Sequence, residues 1–236
     1  MQMSKRFVFD PTAFLMHTFL CALLLGLSTV VMADGDGIAA ARYADPVTRY
    51  GHFAPGRPHE YARVEANMSS GARLSYALPD TEVFEDVRPR LVRLAANESV
   101  HLLTIVSHRD QGAALALLGV ENNQLKVVAR SIAIGTPMRW LNPVATADLD
   151  GDGIAEVAAV ITPHLSGTLK IFRRSGDKLQ EIAALGGFSN HVYGLSDLAM
   201  SLLFAEGGRK SLLIPDQSRT VLRVIEFVAG SLRETG

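Results

Sequence analysis

The amino-acid sequence predicts an all-β protein, and three observations support this prediction. Short apolar runs follow one another from Phe84 onward, and Gly, Asn, Asp and Pro residues separate them. The runs have the length of strands and are too short for buried helices. Asn122-Asn123 and Gly176-Asp177 lie between neighbouring runs, and residues that accept positive φ angles are typical of hairpin turns. The main runs lie at residues 100–106, 113–120, 125–128, 156–161, 168–172, 211–214 and 221–227.

An internal repeat organises these runs. Leu102, Val157 and Leu212 begin corresponding runs and recur at intervals of 55 residues. The resulting units cover about residues 84–138, 139–192 and 193–236. A period of roughly 50 residues with four short strands is the length of one propeller blade. The sequence therefore predicts a β-propeller-like array of about three to four four-stranded blades, and an evenly spaced β-sandwich is the alternative.

Residues 1–33 have the three-part form of a secretory signal peptide. Lys5 and Arg6 are positively charged, residues 13–31 are almost wholly apolar, and the small residue Ala33 stands before Asp34. The alternative is an uncleaved helix that anchors the protein, since about 19 apolar residues can just span a bilayer. No later segment has this apolar length. We therefore expect a secreted or periplasmic protein with no membrane span after signal removal.

Residues 34–80 form a loosely patterned N-terminal segment that is rich in Gly, Pro, Arg and Tyr. Two short stretches in it, residues 60–65 and 72–77, predict a hairpin, and the segment could supply a partial blade. The repeat domain is expected to cover residues 81–236.

Composition excludes several classes of function. The formal net charge is −1, and no basic stripe with interleaved aromatic residues is present, so we expect no nucleic-acid binding. The one cysteine, Cys21, lies in the expected signal peptide. The mature chain would then have no disulfide, no thiolate nucleophile and no cysteine zinc site.

The stretch DLDGDGIAE at residues 148–156 predicts a calcium-binding loop. Alternate carboxylates on a tightly turned backbone converge on one point and supply the hard oxygen ligands that Ca²⁺ takes. Gly153 provides the sharp turn. A full EF-hand would need a bidentate Glu where Ala159 stands, so we expect a strand–loop–strand setting instead. The expected ligands are the side chains of Asp148, Asp150, Asp152 and Glu156 and the backbone carbonyl of Ile154.

The other two units lack these ligands, so a single site is expected. The equivalent positions hold Arg93, Ala95, Asn97 and His101 in the first unit and Leu203, Ala205, Gly207 and Ser211 in the third.

The sequence VATADLDGDGIAEVAAV at residues 144–160, followed by GTLKIFRRSGDKLQEIA at 167–183, resembles the FG-GAP/VCBS repeat family. These repeats are the blades of integrin α-subunit propellers and occur in many exported bacterial proteins. The resemblance implies that the acidic loop binds calcium between the first two strands of a blade. The family usually has Asp where this chain has Glu156, which is a departure from its pattern.

These features favour an exported, non-catalytic binding or scaffold protein with a structural calcium ion. The sequence shows no close histidine pair, nucleophile elbow or phosphate-binding loop. Its partner would be a protein or a glycan, and an open blade array would form a homo-oligomer. Arg139, Trp140, His191 and Tyr193 lie at joints between units, where they either pack blades together or form a ligand-binding rim.

Two alternatives stay open. One is an extracytoplasmic hydrolase with a site on the propeller rim, and the other is a membrane-anchored form that keeps its N-terminal helix. The candidate acids of the hydrolase are Asp110, Asp197, Asp216 and Glu226.

Overall fold

The computed structural model describes residues 37–165 and 167–236, and every regular element in these ranges is a β-strand. The prediction of an all-β protein is therefore confirmed. The expected signal peptide and Cys21 lie outside the described residues. The strands are β1 (Ile38–Pro46), β2 (Tyr61–Met68), β3 (Arg73–Ala77), β4 (Glu82–Phe84), β5 (Arg90–Val92), β6 (His101–His108), β7 (Gly112–Glu121), β8 (Gln124–Arg130), β9 (Leu141–Ala147), β10 (Glu156–Ile161), β11 (Gly167–Ser175), β12 (Lys178–Phe188), β13 (Leu202–Glu206), β14 (Arg209–Pro215), β15 (Leu222–Val228) and β16 (Ser231–Glu234).

Strand pairing joins these elements into two sheets. The larger sheet has 12 strands in the order β1-β2-β4-β6-β7-β8-β12-β11-β10-β9, with β3 on β2 and β5 on β6. The smaller sheet has the order β13-β14-β15-β16. All pairs are antiparallel except β8 with β12, which meet in parallel at Arg130 and Lys178. Among the described strands the pairing shows no closed ring.

The chain runs through four consecutive groups of strands, which we call groups one to four. Group one is β1–β3, group two β4–β8, group three β9–β12 and group four β13–β16. Within groups three and four each strand pairs with the next one along the chain. The expected hairpin in the N-terminal segment is present as β2 and β3. The expected tight turn between β7 and β8 has positive φ at Asn122 and Asn123.

Three apolar cores lie between successive groups, because the central strands bury both of their faces. In β10, Val157 and Ala159 join the core shared with group two, whereas Ala158 and Val160 join the core shared with group four. Alternation of side chains between the two faces of a strand produces this division. It also explains the nearly continuous apolar runs in the sequence, which are typical of strands that are covered on both sides.

No helix that could span a membrane is found in the ranges 37–165 and 167–236.

Leu117 provides a test of the core between groups two and three. Leu117 on β7 is fully buried in it, whereas Ile132 is 95% exposed. We expect Leu117→Ala to lower the free energy of unfolding by about 2–5 kcal/mol, because it leaves a cavity. Ile132→Ala should change it by less than about 0.5 kcal/mol. Urea denaturation of both variants measures this, and equal losses would contradict the assigned core.

Candidate functional site

The acidic loop connects β9 to β10 and coils around the carboxylate of Asp148. The two oxygens of Asp148 accept hydrogen bonds from the amides of Gly151, at 2.7 Å, and Gly153, at 3.1 Å. Both glycines have positive φ, which is the conformation that such a turn requires. The Ile154 amide donates to Oδ1 of Asp152 at 2.8 Å. The loop therefore holds its shape through bonds between its own backbone and side chains.

Three of the expected ligands converge. Carboxylate oxygens of Asp148, Asp150 and Glu156 lie within 4.8 Å of one another. Oxygens bound to Ca²⁺ lie about 2.3–2.6 Å from the ion, so ligands on opposite sides are about 5 Å apart. The spacing and the all-oxygen donor set thus fit one hard cation. Asp152 and Ile154 lie at the exposed edge of the loop and are not part of this converging set.

Arg173 on β11 places its guanidinium among the loop carboxylates. Its Nε donates to Oε1 of Glu156 at 2.9 Å, and its Nη2 donates to the same oxygen. Nη2 also donates to Asp150 at 2.8 Å, and Nη1 lies 3.1 Å from a carboxylate oxygen of Asp152. The sequence motif did not reveal this residue, because its position depends on the pairing of β10 with β11. The charges of three acidic side chains are thus balanced in part by one cation.

Glu156 is the buried member of the site. Burial raises the pKa of its carboxyl group, although the Leu149 amide and Arg173 favour the ionised form. The Leu149 amide donates to Oε2 at 2.9 Å. The hydrogen bond to Glu156 is the main reason that the pKa of the Arg173 guanidinium is raised above its ordinary value. Arg173 and the Leu149 amide together satisfy both oxygens of a carboxylate that solvent does not reach.

The loop also contacts both neighbouring groups of strands. The Ala155 amide donates to the carbonyl of Leu94 in group two at 2.6 Å, and Ile154 pairs with Ala95 beside it. On the other side, Nζ of Lys210 on β14 donates to the carbonyl of Asp148 at 2.6 Å. The loop therefore lies at a junction of three groups.

A second cluster, made of aromatic and histidine side chains, comes from connections between strands. His52, Trp140, His164 and Tyr193 line a cavity of about 180 Å³. The His164 ring centroid lies 5.4 Å from that of Tyr193 and 4.9 Å from that of His191. The sequence marked Trp140, His191 and Tyr193 as joint residues, but His52 and His164 are too distant in sequence to be recognised as partners. We call this cluster the aromatic cavity.

Hydrogen bonding fixes the tautomers of two histidines at the aromatic cavity. Nε2 of His191 lies 2.7 Å from the carbonyl of Leu195, which can only accept, so Nε2 carries the proton. In the neutral ring Nδ1 of His191 then accepts from Nε2 of His164, at 2.6 Å. Burial, together with the nearby His191 and His52, lowers the pKa of His164 to about 4. Burial also lowers the pKa of His191. Both pKa shifts favour the neutral form of the ring.

Glu85 is a buried carboxylate behind the aromatic cavity. It accepts hydrogen bonds from the Ala54 amide at 2.8 Å and from Oγ of Ser107 at 2.6 Å. Nδ1 of His52 lies 2.8 Å from Oε1 of Glu85 at ion-pair distance but without hydrogen-bond geometry. The indole of Trp140 donates to the Glu85 carbonyl at 2.7 Å. Glu85 thus links two of the connections that line the cavity, one at Ala54 and the other at Trp140.

The four candidate acids of the hydrolase alternative make separate local contacts. Asp110 lies beside Arg109, and Asp197 accepts a hydrogen bond from the Ala199 amide. Asp216 accepts hydrogen bonds from the Ser218 hydroxyl and the Thr220 amide. Glu226 lies beside Ser211 and Arg209. None of these contacts joins two of the four acids.

No protein-family model matches the chain, and no curated protein matches it. The resemblance to FG-GAP/VCBS repeats therefore rests on the sequence of residues 144–160 and 167–183 and stays a prediction.

The histidines of the aromatic cavity predict a loss of stability in acid. The folded pKa of His164 is lowered, so between about pH 6.5 and 4 the unfolded chain binds a proton that the folded chain does not. The contribution of neutral His164 to the free energy of unfolding is fully present above about pH 6.5. It is lost as the pH falls towards about 4. Compared with wild type, His164→Gln should lose less stability over this range, by on the order of 1–2 kcal/mol after allowance for solvent screening. Thermal unfolding between pH 7 and 4.5 measures the difference, and parallel curves would contradict it.

Proposed function

We propose that this chain is an exported, non-catalytic binding or scaffold protein, in which calcium braces a β-propeller-like array of FG-GAP/VCBS-type blades. The observation that carries the calcium proposal is the convergence of Asp148, Asp150 and Glu156 within 4.8 Å, in a loop that contacts both neighbouring groups. An ion at this point would stabilise the junction as well as the turn. Asp152 and the carbonyl of Ile154 would complete its ligands.

The arrangement of the groups supports the propeller-like proposal. Groups two, three and four fall within the repeat units expected from the sequence, apart from the first strand of group two, which begins at Glu82. Successive groups pack through separate apolar cores, as neighbouring blades do. Groups three and four each have four consecutively paired antiparallel strands, which agrees with the four short strands expected for one blade. Group one would be the partial blade at the start of the array.

The surface at the aromatic cavity supports a binding role. Met138, Leu165 and Tyr193 surround it and are exposed, with Tyr193 at 54%. Aromatic and apolar side chains around a small cavity are common features of binding surfaces for proteins and glycans. We therefore place the partner, a protein or a glycan, at this surface.

The two ends of the array differ, and the difference supports self-association. The outer face of group four carries exposed Leu202 and Leu222, which lie opposite to the face that forms its core. The outer side of group one carries ion pairs such as Arg42 with Glu65. Repeat arrays need polar outer faces at their ends to stay soluble. The outer face of group four mixes these leucines with the Arg209–Glu226 ion pair, and a homo-oligomer would form through its apolar part.

The expected signal peptide supports export to the periplasm or the exterior. It covers residues 1–33, where two basic residues precede an apolar stretch that ends at a small residue.

Calcium binding provides the direct test of the structural ion. We expect CaCl₂ to raise the thermal midpoint of the mature protein relative to chelator, because an ion that binds only the folded state stabilises it. Asp150→Asn should remove most of this increase, since it deletes one charged ligand. Asp110→Asn is the matched control, because Asp110 lies outside the loop. Calorimetric titration gives the affinity, and an unchanged midpoint with no binding heat would contradict the proposal.

A further inference from the structure

We propose that Arg173 is a built-in competitor for the cation site. Its guanidinium and a calcium ion would occupy the same carboxylates in turn, so that Arg173 sets the affinity of the loop for calcium. It would also hold the loop closed when no metal is bound. This inference rests on the calcium site proposed above and adds the group that regulates it.

The contacts of Arg173 define the competition. It contacts Asp150, Asp152 and Glu156, which are three of the four expected carboxylate ligands. Two of them, Asp150 and Glu156, also belong to the set that converges within 4.8 Å. A guanidinium and a divalent ion repel each other at such distances. The two cations therefore cannot both occupy the centre of this set.

At Glu156 the competition between Arg173 and a metal ion concerns one oxygen atom, Oε1. Oε2 of Glu156 accepts a hydrogen bond from the Leu149 amide, whereas Oε1 faces Arg173. Arg173 directs both Nε and Nη2 to that Oε1. Ligation of a metal through Oε1 then requires these two hydrogen bonds to break. The cost of breaking them lowers the apparent affinity for calcium.

The exchange needs little rearrangement of the loop. Asp148 does not contact Arg173, and its bonds to the Gly151 and Gly153 amides form the turn without a metal. The Arg173 side chain is 29% exposed, so the guanidinium can move into solvent when an ion enters. A divalent ion also balances more of the charge of four carboxylates than one guanidinium does. Calcium at sufficient concentration would therefore replace Arg173.

The neighbouring Arg174 supplies a matched control. It follows Arg173 on β11, and its guanidinium contacts His101 and Glu98 instead of the loop. Arg174→Gln removes the same charge from the same strand without removing the competitor. Any general effect of lost positive charge appears in both variants.

The test measures calcium affinity by calorimetric titration and the thermal midpoint in chelator, for wild type, Arg173→Gln, Arg173→Lys and Arg174→Gln. We expect Arg173→Gln to bind calcium about tenfold more tightly than wild type, because no ion pairs break on binding. In chelator its midpoint should be lower than that of Arg174→Gln, and calcium should restore it. Arg173→Lys should lie between wild type and Arg173→Gln in both measurements, since an ammonium keeps the charge but not the forked geometry.

Four outcomes distinguish competition by Arg173, a calcium site without such competition, and the absence of a calcium site. Binding by Arg173→Gln alone, with none by wild type, would support the competition in its strongest form. Equal or weaker affinity in Arg173→Gln, with clear binding by wild type, would overturn the inference and leave the calcium site intact. Equal midpoints of the two Gln variants in chelator would also overturn it. No binding by any variant would overturn the calcium site and the competition together. If Arg173→Gln does not fold, Arg173→Lys still decides through its affinity.

Discussion

The buried carboxylate of Glu156 is the constraint on which the junction between three groups depends. A charge that solvent does not reach costs several kcal/mol unless it is paired and hydrogen-bonded. Glu156 meets this requirement with the Leu149 amide on one oxygen and Arg173 on the other. It is also the first residue of β10, whose next four residues supply two cores in alternation. The conformation of the acidic loop and the packing of the central strand are therefore linked through one side chain.

Two other buried glutamates follow the same principle at the other connections. Glu60 accepts hydrogen bonds from the amides of Gly51, His52 and Phe53, and Glu85 accepts from the Ala54 amide and from Ser107. Each holds an irregular connection whose backbone amides would otherwise lack partners. The strand groups thus pack through apolar side chains, and buried carboxylates fix the chain between them. The loop at Glu156 differs because one of its partners is the charged and partly exposed side chain of Arg173, which a bound ion would replace under the proposed competition.

The sequence predicted features that depend on neighbours along the chain. The all-β class, the turn at Asn122-Asn123 and the strands on both sides of the acidic loop follow from local apolar runs and turn residues, and the structure confirms them. Strand β1 was not predicted, because its alanine-rich sequence buries only Ile38 and Tyr43 and gains its stability from pairing with β2. The ligand spacing marked Asp148, Asp150 and Glu156, but their role as calcium ligands stays a proposal.

The remaining parts of the site depend on contacts between distant residues. Arg173 reaches the loop through the register of β10 and β11, and no spacing rule for a calcium loop includes that strand. The aromatic cavity joins His52 to His164 across more than a hundred residues, so periodicity gives no signal for it. The propeller-like arrangement depends on how groups close in space, and it likewise stays a proposal.

The most direct test of the account is a double-mutant cycle between Arg173 and Glu156, measured by chemical denaturation in chelator. The variants are Arg173→Gln, Glu156→Gln and the two combined. If Arg173 balances the buried carboxylate, the coupling free energy should be about 1–3 kcal/mol, with the double variant less destabilised than the sum of the single ones. Effects that add to within about 0.5 kcal/mol would show that the two side chains act independently and would contradict the account.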